Sequence, residues 1–479
     1  MDTDQELETE SKYLCAACIG ESYLQSEVHR DGVATTCDYC GQEGPCITIG
    51  DLADTFSRVI EDHYSLTPSE PSGYDYAMSK EGLGDWERGG DILASVIGDA
   101  AIIDEEPAED IRAVLDDRYG DPNAYQVGED SPYCSDAHYE VRKLEPSELR
   151  AGWEFFERSI KQETRFFNQH AEAMFEVLFH ELSDLKTRSK KRIVIVAGPG
   201  EKINALHRAR VFQSDAALEK AIARPDKEVG PPPSQAASAG RMNARGIAAF
   251  YGATRPRAAL AEVRPPVGSR VVMGRFDLIR PVSLLDVEAL RSIIVPGSIF
   301  DPEYKNRLEK AQFLEQLSHR ISMPIMPDDE VFDYLVTQAI ADYLASKASP
   351  RIDGIIYPSA QSRAGGSNVV LFHSAARVEE LDLPLGAQVT AQTSHYSEDG
   401  PETDYWVWEA VPKQKAAEQE EDFPFMSLSN VNTDRDYREP TLRLDTSSVK
   451  VHHVCGVNFV TEEHSVVRHR CELSENTDF

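Results

Sequence analysis

The stretch Gly240-Arg-Met-Asn-Ala-Arg-Gly-Ile-Ala-Ala-Phe-Tyr-Gly-Ala-Thr-Arg-Pro-Arg-Ala-Ala-Leu-Ala-Glu-Val-Arg264 decides how this chain is read. It sets Arg241, Asn243, Tyr251 and Glu262 among alternating apolar and polar residues. A second block, Asp353-Gly-Ile-Ile-Tyr-Pro-Ser359 followed by Gly366-Ser-Asn368-Val-Val-Leu-Phe372, adds Ser359 and Asn368. Upstream, Leu206-His-Arg208-Ala-Arg210 adds two more arginines. Arginine, tyrosine, glutamate and serine make a poor metal site. They suit a dinucleotide whose ribose is about to become a cation. The carboxylate of Glu262 would stabilise an oxocarbenium-like transition state, as in glycoside chemistry. Tyr251 would stack on the nicotinamide, and the forks of Arg208 and Arg241 would bind pyrophosphate. Ser359 and Asn368 would add neutral hydrogen bonds. Singly, each residue has a plainer reading as surface charge or core packing. Their combination and order carry the weight.

The 479 residues are too many for one ordinary domain and predict two or three. The net charge of −33 argues against a nucleic-acid coat. It is unevenly spread: residues 191–380, which hold the motifs, carry +4, and the rest carries −37. No apolar run approaches the ~18 residues of a membrane span. The acidic start Met-Asp-Thr-Asp-Gln-Glu is unlike a signal peptide, so a cytoplasmic location is expected.

Four of eight cysteines fall as Cys15-x-x-Cys18 and Cys37-x-x-Cys40. In a cytoplasmic chain such pairs read as ligands of one structural zinc before disulfides. A zinc-ribbon-like module over 12–50 follows, with Cys46 a nearby spare. Residues 51–186 read as a helical domain. Its helices are expected at 51–65, at 91–103, from a Ser147 cap through Ile160, and at 171–182. A mixed domain over 190–385 has strands expected at 192–197, 247–252, 270–277, 352–357 and 368–373, and helices at 303–320 and 328–346. The second helix carries Phe332, Val336, Ile340 and Leu344 on one face. Composition makes Glu228 to Gly240 a mobile loop. A hairpin extension is expected at 386–412. The acidic tail over 413–479 is expected to be partly disordered, with a strand at 449–460.

Together the blocks closely resemble the RES family, named for its arginine, glutamate and serine. The resemblance implies an ADP-ribosyltransferase-like fold: an α+β chain with a zinc ribbon and helical domain, then a mixed β-sheet domain with flanking helices. It further implies a toxin that destroys NAD⁺ by phosphorolysis or hydrolysis, in a toxin–antitoxin or defence role. Position by position it makes Arg208, Tyr251 and Glu262 catalytic. It makes Arg208, Arg241, Asn243, Tyr251, Ser359 and Asn368 binding residues for NAD⁺. Met242 departs from the family's usual aromatic and alters one pocket wall. The implied partners are NAD⁺, inorganic phosphate, an antitoxin protein and a second copy of the chain; a membrane and nucleic acid are not among them. The helical region resembles HEPN domains that precede some RES domains, and Arg165-Phe-Phe-Asn-Gln-His170 has the R-x4-H spacing of HEPN ribonucleases. A ribonuclease using Arg165 and His170 is therefore the alternative, with a non-catalytic partner-binding protein as a third reading. An amphipathic helix with a chance arginine and histidine explains that motif better.

Overall fold

The chain divides into two units, residues 1–193 with 289–320, and residues 194–288 with 321–479. The computed structural model describes residues 8–81, 86–121, 131–323, 329–359, 365–397, 400–412, 436–458 and 461–469. Helix and mixed sheet both occur, as an α+β class requires.

In the first unit, Tyr13–Cys15, Val33–Thr36 and Glu43–Thr48 form a three-stranded sheet with Glu43–Thr48 central. The helix Ile49–His63 follows at once. Thr48 caps it by accepting from the Asp51 N–H, which satisfies one of the free donors at a helix start. Its apolar face, Leu52, Phe56 and Ile60, packs with Leu14, Ile19, Leu93, Ile97 and Ile111 in one buried cluster. The helix expected at 91–103 is shorter. Asp91–Ile92 pairs as a strand with His138–Val141, and the helix runs Leu93–Ala101 until Ile102 turns left-handed. Ser147 does not cap its helix. It is the first residue of Ser147–Gln162, behind Pro146, and no side-chain cap is made. Trp153, Phe156 and Phe175 stack at ring separations of 5.0 to 6.4 Å.

The second unit is built on an eight-stranded mixed sheet. Its strands are numbered here as β1 (Val194–Ala197), β2 (Ala205–Phe212), β3 (Phe250–Ala253), β4 (Arg270–Leu278), β5 (Val282–Asp286), β6 (Gly354–Pro358), β7 (Ser367–Leu371) and β8 (Leu442–His453). Their order across the sheet is β8-β4-β2-β3-β7-β6-β5-β1. One face carries the main core of Leu206, Phe250, Phe276, Val369 and Leu371. The other holds a smaller cluster in which Ala253, Val271 and Met273 meet Ala258 and Ala259 of helix α1 (Pro256–Glu262).

The expected strands at 192–197, 247–252, 270–277, 352–357 and 368–373 correspond to β1, β3, β4, β6 and β7. The helix α2 (Glu330–Ser346) buries Val336, Ile340 and Leu344, but Phe332 is 55% exposed and is not part of the buried stripe. The expected start at 328 lies outside the described residues. The Glu228 to Gly240 loop is pinned by two buried side chains, Val229 and Ala237, around a short 3-10 turn at Ser234–Ala236. The hairpin pairs Gln388–Ser397 with Gly400–Ala410. The strand expected at 449–460 begins earlier, at Leu442. It is not part of a loose tail: it pairs along β4 as an edge of the main sheet.

Candidate active site

Register places the site. Ala253 of β3 lies opposite Asn368 of β7, and Asn368 lies opposite Tyr357 of β6. Directly opposed residues share a sheet face. Tyr251, two residues before Ala253, therefore faces the same way as Asn368 and Tyr357. Helix α1 lies on that face and ends at Glu262. Asn368 Nδ2 donates to Glu262 Oε2 at 2.8 Å. Glu262 is exposed and Asn368 is 3% exposed, so a buried amide holds a solvent-accessible carboxylate. Burial, then the charge of Glu262, pushes the Tyr357 hydroxyl well above its ordinary pKa, while a hydrogen bond with Asn368 opposes the rise.

The turn at 240–243 is fastened beside Tyr251. The Tyr251 hydroxyl donates to Asn243 Oδ1 at 2.7 Å and accepts from the Met242 N–H at 3.0 Å. Burial moves its pKa up to about 12, so it stays a neutral donor. Gly240 is needed here because a Cβ would come within 2.6 Å of Asn243 Oδ1 and 2.7 Å of the Tyr251 hydroxyl. Asn243 Nδ2 bonds the carbonyls of Ser238, Ala244 and Ile247. All its polar capacity is spent inside the protein, so it organises the turn. Arg241 donates to the carbonyls of Ile321 and Met323. Gln338 of α2 donates to the carbonyls of Gly240 and Asn243 at 2.8 and 3.0 Å.

Arg208 is placed differently. Ala253 of β3 opposes His207, so it is His207 that shares the Tyr251 face. Arg208 points to the other face, with its guanidinium carbon 5.1 Å from the Phe250 ring centre. Its Nη1 donates to the Tyr251 carbonyl at 2.9 Å, at a seam where β2 and β3 share one ladder pair. Burial lowers its pKa to about 10, and Arg210 adds to the effect. Of nine buried side-chain polar atoms that find no hydrogen-bond partner among the described residues, three belong to the sequence-predicted site: Arg208 Nε, Asn368 Oδ1 and Ser359 Oγ. A buried group without a partner costs about 1–3 kcal/mol, so such atoms mark positions where a ligand's hydrogen bonds would be gained. Sequence reasoning missed His207 and Tyr357, because cross-strand register, which selects them, is not visible along the chain.

Two family models match the chain. Residues 205–393 match the RES domain family model, and residues 30–174 match that of HEPN/RES N-terminal domain 1. The chain carries a RES domain. No curated protein and no solved structure matches it. The RES match begins with β2 and ends within the hairpin, so it includes Arg208, Arg241, Tyr251, Glu262, Ser359 and Asn368, while β1 and β8 complete the RES sheet from outside it. The HEPN match includes Arg165 and His170. Both are exposed, Arg165 in the turn after Ser147–Gln162 and His170 in the first turn of Gln169–Phe179, and the His170 ring packs edge-on against Phe155 at 4.8 Å. No described helix is long and apolar enough to cross a membrane.

A second constellation lies at the start of the first unit. Cys15 Sγ is 3.6 Å from both Cys18 Sγ and Cys40 Sγ, and the sulfurs of Cys15, Cys18, Cys37 and Cys40 all lie within 4.8 Å of one another. Sulfurs bound at about 2.3 Å around a tetrahedral ion stand roughly 3.8 Å apart, so the four fit one ion. Burial raises the Cys37 thiol, but backbone N–H groups of Cys40, Cys15 and Tyr39 outweigh it and bring it to about 7. Cys46 is turned away, with its thiol toward the carbonyls of Thr35 and Gly44.

Proposed function

We propose that the RES domain cleaves the nicotinamide–ribose bond of NAD⁺. The observation that carries this reading is the exposed Glu262 carboxylate held by buried Asn368 beside Tyr357. A fixed anion beside an anomeric carbon stabilises positive charge that develops only in the transition state, which is the interaction that accelerates chemistry. The Tyr251 ring, its hydroxyl already fixed, offers a flat surface to the nicotinamide. Asn368 Oδ1 and Ser359 Oγ await hydroxyl or amide donors. Arg208, on the opposite sheet face over Phe250, does not reach the Glu262 side, so its part is to brace the Tyr251 backbone. Asn243, whose amide is spent on the protein, acts as a positioning residue, while Arg241 ties the Ile321 and Met323 carbonyls with two of its donors and has others left for the pyrophosphate. Water or inorganic phosphate then takes the ribosyl cation, giving ADP-ribose or its 1″-phosphate. A cytoplasmic toxin restrained by a protein antitoxin is the biological role this chemistry suits.

One structural zinc held by Cys15, Cys18, Cys37 and Cys40 belongs to the same reading. Four thiolates leave no open coordination position, so the ion would brace the module and take no catalytic step. The ribonuclease alternative gains no support from Arg165 and His170, which are exposed.

The deciding assay incubates purified protein with NAD⁺ and follows nicotinamide release. Glu262→Gln should lower the rate by roughly 10²-fold or more while leaving the thermal melt unchanged, since the lost interaction is an electrostatic one made in the transition state. Full activity in Glu262→Gln removes the proposal. Weighing the product with and without phosphate identifies the acceptor.

A further inference from the structure

Beside the Tyr251 face of the RES sheet lies a cavity of about 340 Å³ whose lining includes Lys202, Asn204, His207, Thr254 and Arg275. Its relation to the site follows from register. Arg275 opposes His207, His207 opposes Ala253, Ala253 opposes Asn368, and Asn368 opposes Tyr357. These five residues form one row across five strands on one face. Neighbouring strands lie about 4.8 Å apart, so His207 stands roughly 10 Å from Asn368 and its Glu262 partner. Ala253, in the middle, is fully buried under Ala258 and Ala259 of α1, so the helix separates the cavity from the Asn368 end of the row.

The cavity end of the row carries two cations, Lys202 and Arg275, and an imidazole, His207, whose pKa burial and the charge of Arg275 lower. Lys202 and His207 make no hydrogen bond or ion pair among the described residues, and Lys202 is exposed. Arg275 has one guanidinium nitrogen 2.8 Å from Asp277, which offsets part of its charge. Thr254 is a wall and not a ligand, because its hydroxyl is taken up by the Ser367 backbone.

We propose that this cavity binds a phosphate-class anion through Lys202, His207 and Arg275. The anion is either free inorganic phosphate or a phosphoryl group of the dinucleotide. A flexible ammonium, an imidazole and a guanidinium converging on a hollow suit a tetrahedral oxyanion with several acceptors. The proposal rests on the NAD⁺ reading for its biological meaning, but not for its chemistry.

The test is calorimetric titration of the full chain with inorganic phosphate and, separately, with ADP, at ionic strength fixed by KCl to hold general screening constant. Wild type is compared with Lys202→Gln, at an exposed turn, and with His207→Asn; thermal melts confirm folding. Loss of one charge-assisted contact should weaken binding by about tenfold in either variant. Weakened binding of phosphate alone identifies a free-phosphate site. Weakened binding of ADP, with no measurable binding of phosphate, identifies a dinucleotide phosphoryl site. Affinities for both ligands unchanged in Lys202→Gln, or no binding of either to wild type, overturn the proposal. The readout involves no bond cleavage, so it is independent of Glu262: anion binding in a protein that leaves NAD⁺ intact would defeat the catalytic reading and keep this one.

Discussion

Asn368 donates one amide proton to Glu262, and its carbonyl oxygen is buried without a partner among the described residues. The side chain is thus half committed to the carboxylate, with its other half buried and unpaired there. Asn368→Asp tests both halves. It sets a second carboxylate against Glu262, and two like charges in hydrogen-bond range cannot both ionise freely, so one pKa of the pair rises. NAD⁺ cleavage should fall near neutral pH, and its acid limb should move to higher pH. The pH–rate profile is the measurement, and an unshifted acid limb would refute the coupling.

Asn243→Ala should act on the turn more than on chemistry. The substitution removes the acceptor of the Tyr251 hydroxyl and the donors to three carbonyls, all beside a residue 5% exposed. Stranding such groups costs about 1–3 kcal/mol. Urea denaturation should show that loss, and KM for NAD⁺ should rise more than kcat falls. Unchanged stability would mean that the turn is held by α2 alone.

Metal analysis should find about one zinc per chain, as a closed four-thiolate site requires. Cys37→Ser should lose the ion and destabilise the first unit, because metal affinity in such modules is folding free energy. The rate of NAD⁺ cleavage per folded molecule should be unaffected. Metal-free wild type with an intact N-terminal fold would rule out the zinc.

Stability should rise with pH through the histidine range. Burial lowers the pKa of His63, His207 and His452 from the ordinary 6.5 in the folded chain. Below 6.5 the unfolded chain binds protons that the folded chain does not, so acid favours unfolding until the folded pKa values are passed. Urea midpoints should therefore drop between about pH 7 and pH 5.5. A midpoint that is flat or rises on acidification across that range would contradict it.

Much of the sheet was legible because β1, β4, β6 and β7 are β-branched runs that read as strands alone. The strand Ala205–Phe212 was not. Its core-facing side carries Leu206, Arg208, Arg210 and Phe212, and the two arginines survive there by lying over the rings of Phe250 and Phe212. That cation–aromatic contact breaks the apolar alternation a reader looks for. The same strand shows the limit for the site. Alternation says that His207 and Arg208 point oppositely, but only the pairing with Ala253 says which one joins Tyr251. Asn243 looked like a ligand because turn and ligand asparagines are the same residue; only its four bonds separate the two roles. Cys15, Cys18, Cys37 and Cys40 were legible in full, since their spacing dictates the cluster.

The edge strand Leu442–His453 has a temporal consequence. Thr441 and Leu442 are fully buried, and Leu444 nearly so, against a sheet whose other strands end by residue 371. A ribosome adding roughly 5–20 residues per second needs several seconds to travel from one to the other. Throughout that interval β4 presents an unpaired flank and the core lacks its last apolar side chains. A nascent chain therefore cannot close this flank of the main sheet until Leu442–His453 emerges, several seconds after the strands it completes.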